Sequence, residues 1–347
     1  MKENKHPFTE SLLRWYSRQG RDLPWRHTTN PYAIWLSEII LQQTRIAQGL
    51  PYWQRFMQAF PTVDSLAAAS EDEVLLLWQG LGYYSRARHL HKAARQIVGA
   101  GHFPNTYEGI KALSGVGPYT AAAIASFAFG IAEPALDGNA YRVLSRYFDV
   151  DTPVDSTEGR KEFLTLARQL IPQDAPAAFN QAMMDVGATL CLPLSPDCTH
   201  CPLSNACMAL ATGSIEKRPV KSHRTLQKER HMAYIYIRYR NLTAIHRRSG
   251  NDIWRGLWEP YCVEGTALPH FEGRLKNIAR GVRHVLTHRI LTADFYLLES
   301  DVKPTLPDDY IWIEEPALDN YGKPKLVCRL VDLVKQLEQT RIEAGEE

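Results

Sequence analysis

The stretch from Leu113 to Arg146, LSGVGPYTAAAIASFAFGIAEPALDGNAYRVLSR, constrains the chain most, because it sets a glycine-rich turn, an apolar helix and an isolated aspartate in close succession. Ser114-Gly115-Val116-Gly117-Pro118 cannot continue the short apolar segment that Leu113 closes, whereas Tyr119 to Phe129 is alanine-rich and apolar enough for a buried helix. The spacing predicts helix, tight hairpin, helix: the glycines admit positive φ and close approach of another chain, and Pro118 suits a first helical position, where its missing N–H is no loss. A helix start with free amides suits phosphate, and the same residues equally suit an ordinary helix-helix turn. Asp137 follows the break at Glu133-Pro134 and precedes a periodic run through Val143 and Leu144, so it reads as a helix N-cap. Amides and a helix dipole there would keep its carboxylate ionised, as a group facing a developing cation requires.

Upstream, Ile34 to Thr44 is a strongly apolar helical run interrupted by Glu38. Burial would raise its pKa and leave a proton donor near neutral pH; a solvent-facing position would make it an ordinary surface charge. Phe8 to Arg18 reads as an amphipathic helix, and two later helix starts carry capping boxes, Ser70 with Glu73 and Asn105 with Glu108. Between them GLGYYSRARHLHKAARQI sets tyrosines beside Arg86, Arg88 and Lys92, a mixture that suits unstacked nucleic acid or a solvated basic helix face. Four of the six cysteines crowd together as Cys191-x6-Cys198-x2-Cys201-x5-Cys207, a grouping that argues for metal ligation and admits zinc or a [4Fe-4S] cluster.

From Ala209 the composition changes. Lys217, Arg218, Lys221, Arg224, Lys228 and Arg230 read as an exposed basic linker, and His231–Tyr239 and Leu291–Leu298 as strands. A length of 347 residues with 45% hydrophobic content suits two domains, and a net charge of +2 means that nucleic-acid affinity must come from local placement of charge. The charged N-terminus and the lack of a long apolar segment lead to the expectation of a cytoplasmic protein with no membrane role.

The LSGVGPYTAAAI hairpin followed by PALDGNAYRVLSR resembles the helix-hairpin-helix DNA glycosylases, and within them the chain is similar to the adenine DNA glycosylases of the MutY type. The resemblance implies a multidomain protein, α then α+β: an all-α glycosylase region with a [4Fe-4S] cluster over 1–212, a basic linker over 213–230 and a Nudix-like domain over 231–347. It implies Glu38 as the acid, Asp137 as the anion beneath the sugar, and Tyr119 and Asn139 in support. Trp25, Arg26 and Gln181 would line the base pocket, Gln43 and Tyr83 would enter the base stack, and Gly115 and Gly117 would meet the backbone. Cys191, Cys198, Cys201 and Cys207 would hold the cluster. Enzymes that also nick the strand carry a lysine where Tyr119 stands, and a phenol forms no Schiff base. The implied activity is therefore monofunctional removal of adenine from A:8-oxoguanine or A:G pairs in double-stranded DNA. A helix-hairpin-helix glycosylase acting on thymine mismatches or oxidised pyrimidines, and a non-catalytic iron-sulfur DNA-binding protein, are the alternatives.

Two departures from the family stand out. The LPLSPD loop between Cys191 and Cys198 lacks the basic residues of relatives. Leu286, Thr287 and His288 occupy the place of a Phe-Ser-His segment that reads 8-oxoguanine, so the aromatic is missing. No R-E-x-x-E-E helix follows Trp258, which implies a binding module without phosphatase chemistry. The expected partners are the duplex, a sliding clamp and downstream repair enzymes, with the protein itself a monomer.

Overall fold

The computed structural model describes residues 6–222, 227–250, 252–265, 267–286 and 288–344. Its helices are α1 (Pro7–Gln19), α2 (Pro31–Leu41), α3 (Ile46–Ala59), α4 (Val63–Ala68), α5 (Glu71–Leu77), α6 (Ser85–Ala100), α7 (Tyr107–Lys111), α8 (Pro118–Phe129), α9 (Gly138–Tyr147), α10 (Thr157–Leu170), α11 (Pro176–Thr189), α12 (Met208–Ala211) and α13 (Lys325–Ala344). The strands are β1 (Lys228–Tyr239), β2 (Leu242–Arg247), β3 (Trp258–Glu259), β4 (Tyr261–Glu264), β5 (Arg274–Val285), β6 (Arg289–Ser300) and β7 (Tyr310–Glu314). Contacts divide the chain into two units, Met1–Ala67 with Lys92–Arg224 and Ala68–His91 with Thr225–Glu347. None of the described helices is long and apolar enough to cross a membrane.

The first unit is helical. Phe8 and Leu12 of α1 pack with Val143, Leu144, Phe163, Phe179, Met183 and Leu203 into one core. The α2 helix is buried on every side, from Tyr32 to Ile40, and packs against α8. Its neighbour supplies a small-residue surface, Ala121 to Ala125, so two backbones approach closely with little side-chain volume between them. The expected hairpin is α7 and α8: Gly115 turns the chain at φ 77°, Gly117 is the N-cap and Pro118 opens the helix. Asp137 caps α9. Ser70 and Glu73 form the expected capping box on α5. At α7 the cap is Thr106, whose hydroxyl accepts from the Gly109 N–H at 3.2 Å, rather than Asn105.

The second unit is a sheet in the order β3-β2-β1-β6-β5, with β4 also on β1 and β7 on β2. The β1–β6 pair is parallel and in register from Lys228↔Arg289 to Tyr239↔Ser300; its other pairings are antiparallel. Alternation along β1 sends Met232, Tyr234 and Tyr236 to a core completed by Leu326, Val327, Leu330 and Val334 of α13, and Ile235 and Ile237 to the opposite face.

In the basic segment over 213–230, Lys217, Lys221 and Lys228 are exposed, Arg224 lies outside the described residues, and Arg218 and Arg230 are engaged. Arg218 pairs with Asp149 at 2.9 Å, the Val154 N–H donates to the Val220 carbonyl, and Arg230 lies within β1, paired with Asp252 and Glu264. Arg86 is likewise buried, stacked on Trp78, and Arg88 donates to the Arg255 carbonyl, so neither belongs to a solvated face.

Candidate active site

A cavity of about 850 Å³ in the first unit is lined from three helix ends. α2 contributes Glu38, the start of α8 contributes Gly117 and Tyr119, and the start of α9 contributes Asp137 and Asn139. Trp25, Arg26, Gln43 and Gln181 line it as well. Glu38 is 7% exposed, and burial raises its pKa from 4.5 to about 7. The Tyr119 hydroxyl, which donates to Glu38 Oε2 at 3.1 Å, and the charge of Arg26 pull the other way, while the neighbouring Asp137 pushes it further up. The Tyr119 phenol itself stands well above its ordinary range through burial beside two carboxyls, so it remains a neutral donor.

Asp137 corrects the expectation of oppositely shifted carboxyls. Its pKa is also raised, first by burial, against the opposing effect of the donors around it. The Ala140 N–H donates to Oδ1 at 2.7 Å and Asn139 Nδ2 to Oδ2 at 2.8 Å. The helix start therefore mitigates the loss of water without reversing it, because the same packing that aims the carboxyl into the cavity removes its solvent. The two acids differ in their donors: Asp137 accepts from two amides, Glu38 from one phenol.

Several residues that shape this cavity carried no specific signal in the sequence. Asp185 is fully buried and pairs with Arg26 at 2.7 and 2.8 Å and with Arg21 at 2.5 Å. Burial opposes its ionisation, but these guanidiniums outweigh it and hold its carboxyl below the usual range. Tyr16 donates to Gln181 Oε1, fixing that amide at the cavity wall. Arg142 donates to Asn139 Oδ1 at 2.8 Å, the Gly187 carbonyl at 2.7 Å and the Cys191 carbonyl at 2.6 Å, tying the α9 start to the cysteine loop. Both Asp185 and Gly187 sit in the FNQAMMDVG run of α11; they would have been legible only by knowing which helix faces α9.

The two expected wedges share one backbone property. Gln43, just beyond α2, has φ 55°, and Tyr83 has φ 48°, the left-handed region that costs a non-glycine residue strain. Tyr83 belongs to the second unit and is 46% exposed, with the Arg86 guanidinium 5.4 Å from its ring centre. Gly115 lies in the hairpin turn but not on the cavity wall. Leu286, in the segment expected to meet 8-oxoguanine, is half-buried and packs against the sheet core. His288 is exposed and its carbonyl accepts from the Lys228 N–H; Thr287 lies outside the described residues.

Cys191, Cys198, Cys201 and Cys207 line one small cavity of about 30 Å³. Arg146 Nη1 donates to Cys191 Sγ at 3.4 Å. Burial and the neighbouring thiols push Cys201 up to about 11 and raise Cys198 and Cys207. Among the described residues no group of three or more His, Cys, Asp or Glu side chains is arranged to hold a metal ion. The donor chemistry nonetheless fits a thiolate-ligated group, since four cysteines line one small space with a cation beside them.

Residues 36–169 match the HhH-GPD superfamily of base excision DNA repair proteins, and residues 233–333 match the NUDIX domain. An adenine DNA glycosylase of Buchnera aphidicola subsp. Acyrthosiphon pisum is 36% identical over 257 residues, which cover 73% of this chain and 73% of that protein. The chain belongs to the adenine DNA glycosylase family. The human adenine DNA glycosylase is 44% identical over 232 residues, 61% of this chain but 42% of the human protein, less than half its length. Among solved structures, a thermostable thymine-DNA glycosylase shares 30% identity with a TM-score of 0.55 over 59% of this chain and 95% of that one. An endonuclease III–DNA complex, at 21% identity and a TM-score of 0.51 over 61% of this chain and 94% of that one, shares the fold. As an adenine DNA glycosylase, this protein hydrolyses an N-glycosyl bond and removes adenine from DNA in base excision repair.

Proposed function

We propose that this glycosylase acts on adenine opposite 8-oxoguanine, or opposite guanine, and leaves an abasic site without cutting the strand. The reading is carried by the cavity that Glu38 and Asp137 share, where one carboxyl has a pKa of about 7 and the other accepts from two amides. An adenine must leave the duplex to enter such a cavity, with Gln43 and Tyr83 filling the vacated stack. Trp25, Arg26 and Gln181 bound the base, and the hairpin glycines Gly115 and Gly117 face phosphate.

Glu38 gives its proton to adenine N7, so that the electron pair of the breaking C1′–N9 bond departs on a neutral base. Positive charge develops on the sugar, and Asp137, oriented by Asn139 and Ala140, lies as an anion beneath it. Water then attacks C1′ and its proton passes to the carboxylate that began the reaction. Tyr119 holds Glu38 by a hydrogen bond and offers no amine, so no Schiff base forms and the phosphodiester stays whole. Cys191, Cys198, Cys201 and Cys207 would hold a [4Fe-4S] cluster, which when bound cross-links the loop that Arg142 and Arg146 join to α9. Residues 1–212 form the catalytic region, 213–230 the connector, and 231–347 the module that reads the opposite base through Leu286, Thr287 and His288.

Single-turnover assays on a duplex with one A:8-oxoguanine pair test the reading. Glu38→Gln and Asp137→Asn should each slow adenine release by roughly 10²–10⁴-fold, the usual contribution of a positioned acid or base, while duplex binding persists. Strand scission should require added alkali. Wild-type release by either variant, or scission without alkali, would refute the assigned roles.

A further inference from the structure

Behind the cavity wall runs a row of hydrogen bonds whose direction is fixed at one end by charge. Asp185 of α11 is fully buried and, held ionised by its guanidinium neighbours, can only accept. Arg26 donates to both of its oxygens, Nη1 at 2.7 Å and Nη2 at 2.8 Å, and Nη1 also donates to the Arg21 carbonyl at 3.0 Å. The Arg21 backbone N–H and Nε occupy further positions on the same carboxylate at 2.9 and 2.6 Å. These contacts hold the Arg26 guanidinium, 8% exposed, against Tyr16 of α1, with Cζ 5.6 Å from the centre of its ring.

A guanidinium has donors and no acceptor. Where Arg26 hydrogen-bonds Tyr16, the phenol oxygen therefore accepts. Burial raises the Tyr16 phenol above its ordinary range, and the charge and hydrogen bond of Arg26 oppose that without reversing it, so the hydroxyl keeps its hydrogen. With its oxygen turned to Arg26, Tyr16 donates that hydrogen to Gln181 Oε1. A glutamine amide carries its acceptor and its donors on opposite arms of nearly equal shape, so nothing in Gln181 itself prevents a half-turn. Once Tyr16 holds the oxygen, the Nε2 hydrogens are the arm left over, and Gln181 lines the cavity with Glu38 and Asp137.

We propose that Tyr16 is a positioning residue for base recognition: by holding Gln181 through its amide oxygen, it leaves the amide N–H to donate to ring nitrogen N1 or N3 of the extruded adenine. The inference rests on the reading in which Glu38 serves N7 and Asp137 lies beneath the sugar, which leaves N1 and N3 as the ring acceptors still open. At N1 the same donor rejects guanine, whose N1 carries a hydrogen, because donor would face donor. The selectivity of the pocket then traces back through Tyr16 and Arg26 to Asp185, which the base itself need not touch.

The test uses the full chain in single-turnover release from duplexes that pair 8-oxoguanine with adenine, 1-deazaadenine or 3-deazaadenine. Each analogue replaces one acceptor nitrogen by C–H and also alters the leaving group. The deciding quantity is therefore the adenine-to-analogue rate ratio in a variant, compared with the same ratio in wild type. For one of the two analogues, Gln181→Met should shrink the ratio by roughly 5–100-fold, the weight of a buried donor left unpaired. Tyr16→Phe, which frees the amide to turn, should shrink the same ratio by about 2–10-fold, the weight of one hydrogen bond. A merely structural Tyr16 would slow all three substrates alike and keep both ratios, and that result overturns the proposal. So do wild-type ratios in Gln181→Met, which stands as a test even if thermal unfolding shows Tyr16→Phe to be misfolded. 7-Deazaadenine checks the premise separately: its release by wild type as fast as adenine would refute proton donation from Glu38 to N7, whatever the other ratios show.

Discussion

Glu38 concentrates the chemistry in one residue and makes it pH-dependent. The acid must be protonated, so adenine release should hold below neutrality and fall as pH rises through about 7, a limb that Glu38→Gln abolishes. The stability consequence has the same sign. A carboxyl whose folded pKa is raised from 4.5 contributes fully below that value and loses its contribution as pH climbs through about 7. The difference amounts to about 3 kcal/mol at 1.36 kcal/mol per pH unit. Glu38→Gln should therefore stabilise the protein more at pH 8 than at pH 5, as read by thermal unfolding; an equal gain at both would mean that Glu38 is solvated. Asp185 is the opposite case, a buried anion satisfied by Arg26 and Arg21. Asp185→Asn strands the Arg26 guanidinium, and breaking such a pair costs about 3–5 kcal/mol. The potential to bury Glu38 was legible in its apolar context; that Asp185 would hold Arg26 was not.

Among elements, the crossing of α9 and α11 does the positioning. Gly187 on α11 lies so close to Asn139 that a Cβ there would stand 2.4 Å from the Asn139 Cβ and 3.1 Å from its Cα. Gly187→Ala must displace the α9 start, and with it the amide that Asn139 donates to Asp137. A misplacement of that kind costs on the order of 10²-fold in rate, which single-turnover adenine release would report with duplex affinity kept. Helix starts were readable where one cap dominates, as at Ser70 and Asp137. At α7, Thr106 and Asn105 stand side by side and both can cap, so only the backbone decided which hydroxyl or amide faces Gly109.

At the scale of the whole molecule, Ala68–His91 belongs with the sheet rather than with the helices that flank it in sequence. Lys323, 3% exposed, joins them: its N–H donates to Gln79 Oε1 at 2.8 Å, its carbonyl accepts from the Tyr84 hydroxyl at 3.2 Å, and its ammonium donates to the Leu318 and Tyr321 carbonyls. Lys323→Met leaves those two carbonyls without that donor, at about 1–3 kcal/mol each. The loss should loosen the loop that holds Tyr83 in its left-handed conformation. Duplex affinity should then fall in the wild-type background but no further in Tyr83→Ala; additive losses would separate Lys323 from Tyr83.

By itself the sequence determined what depends on near neighbours: the hairpin turn, the Asp137 cap, the cysteine spacing, the alternation of β1 and β6, and the absence of a lysine at position 119. The tertiary structure alone decided the charge environment of Asp137, the partner of Arg26 from 159 residues away, and the packing of half-buried Leu286 against the core. The physical reason is range. Propensity and capping act over a few residues, whereas desolvation and ion pairing depend on which distant segments meet and how much water they exclude.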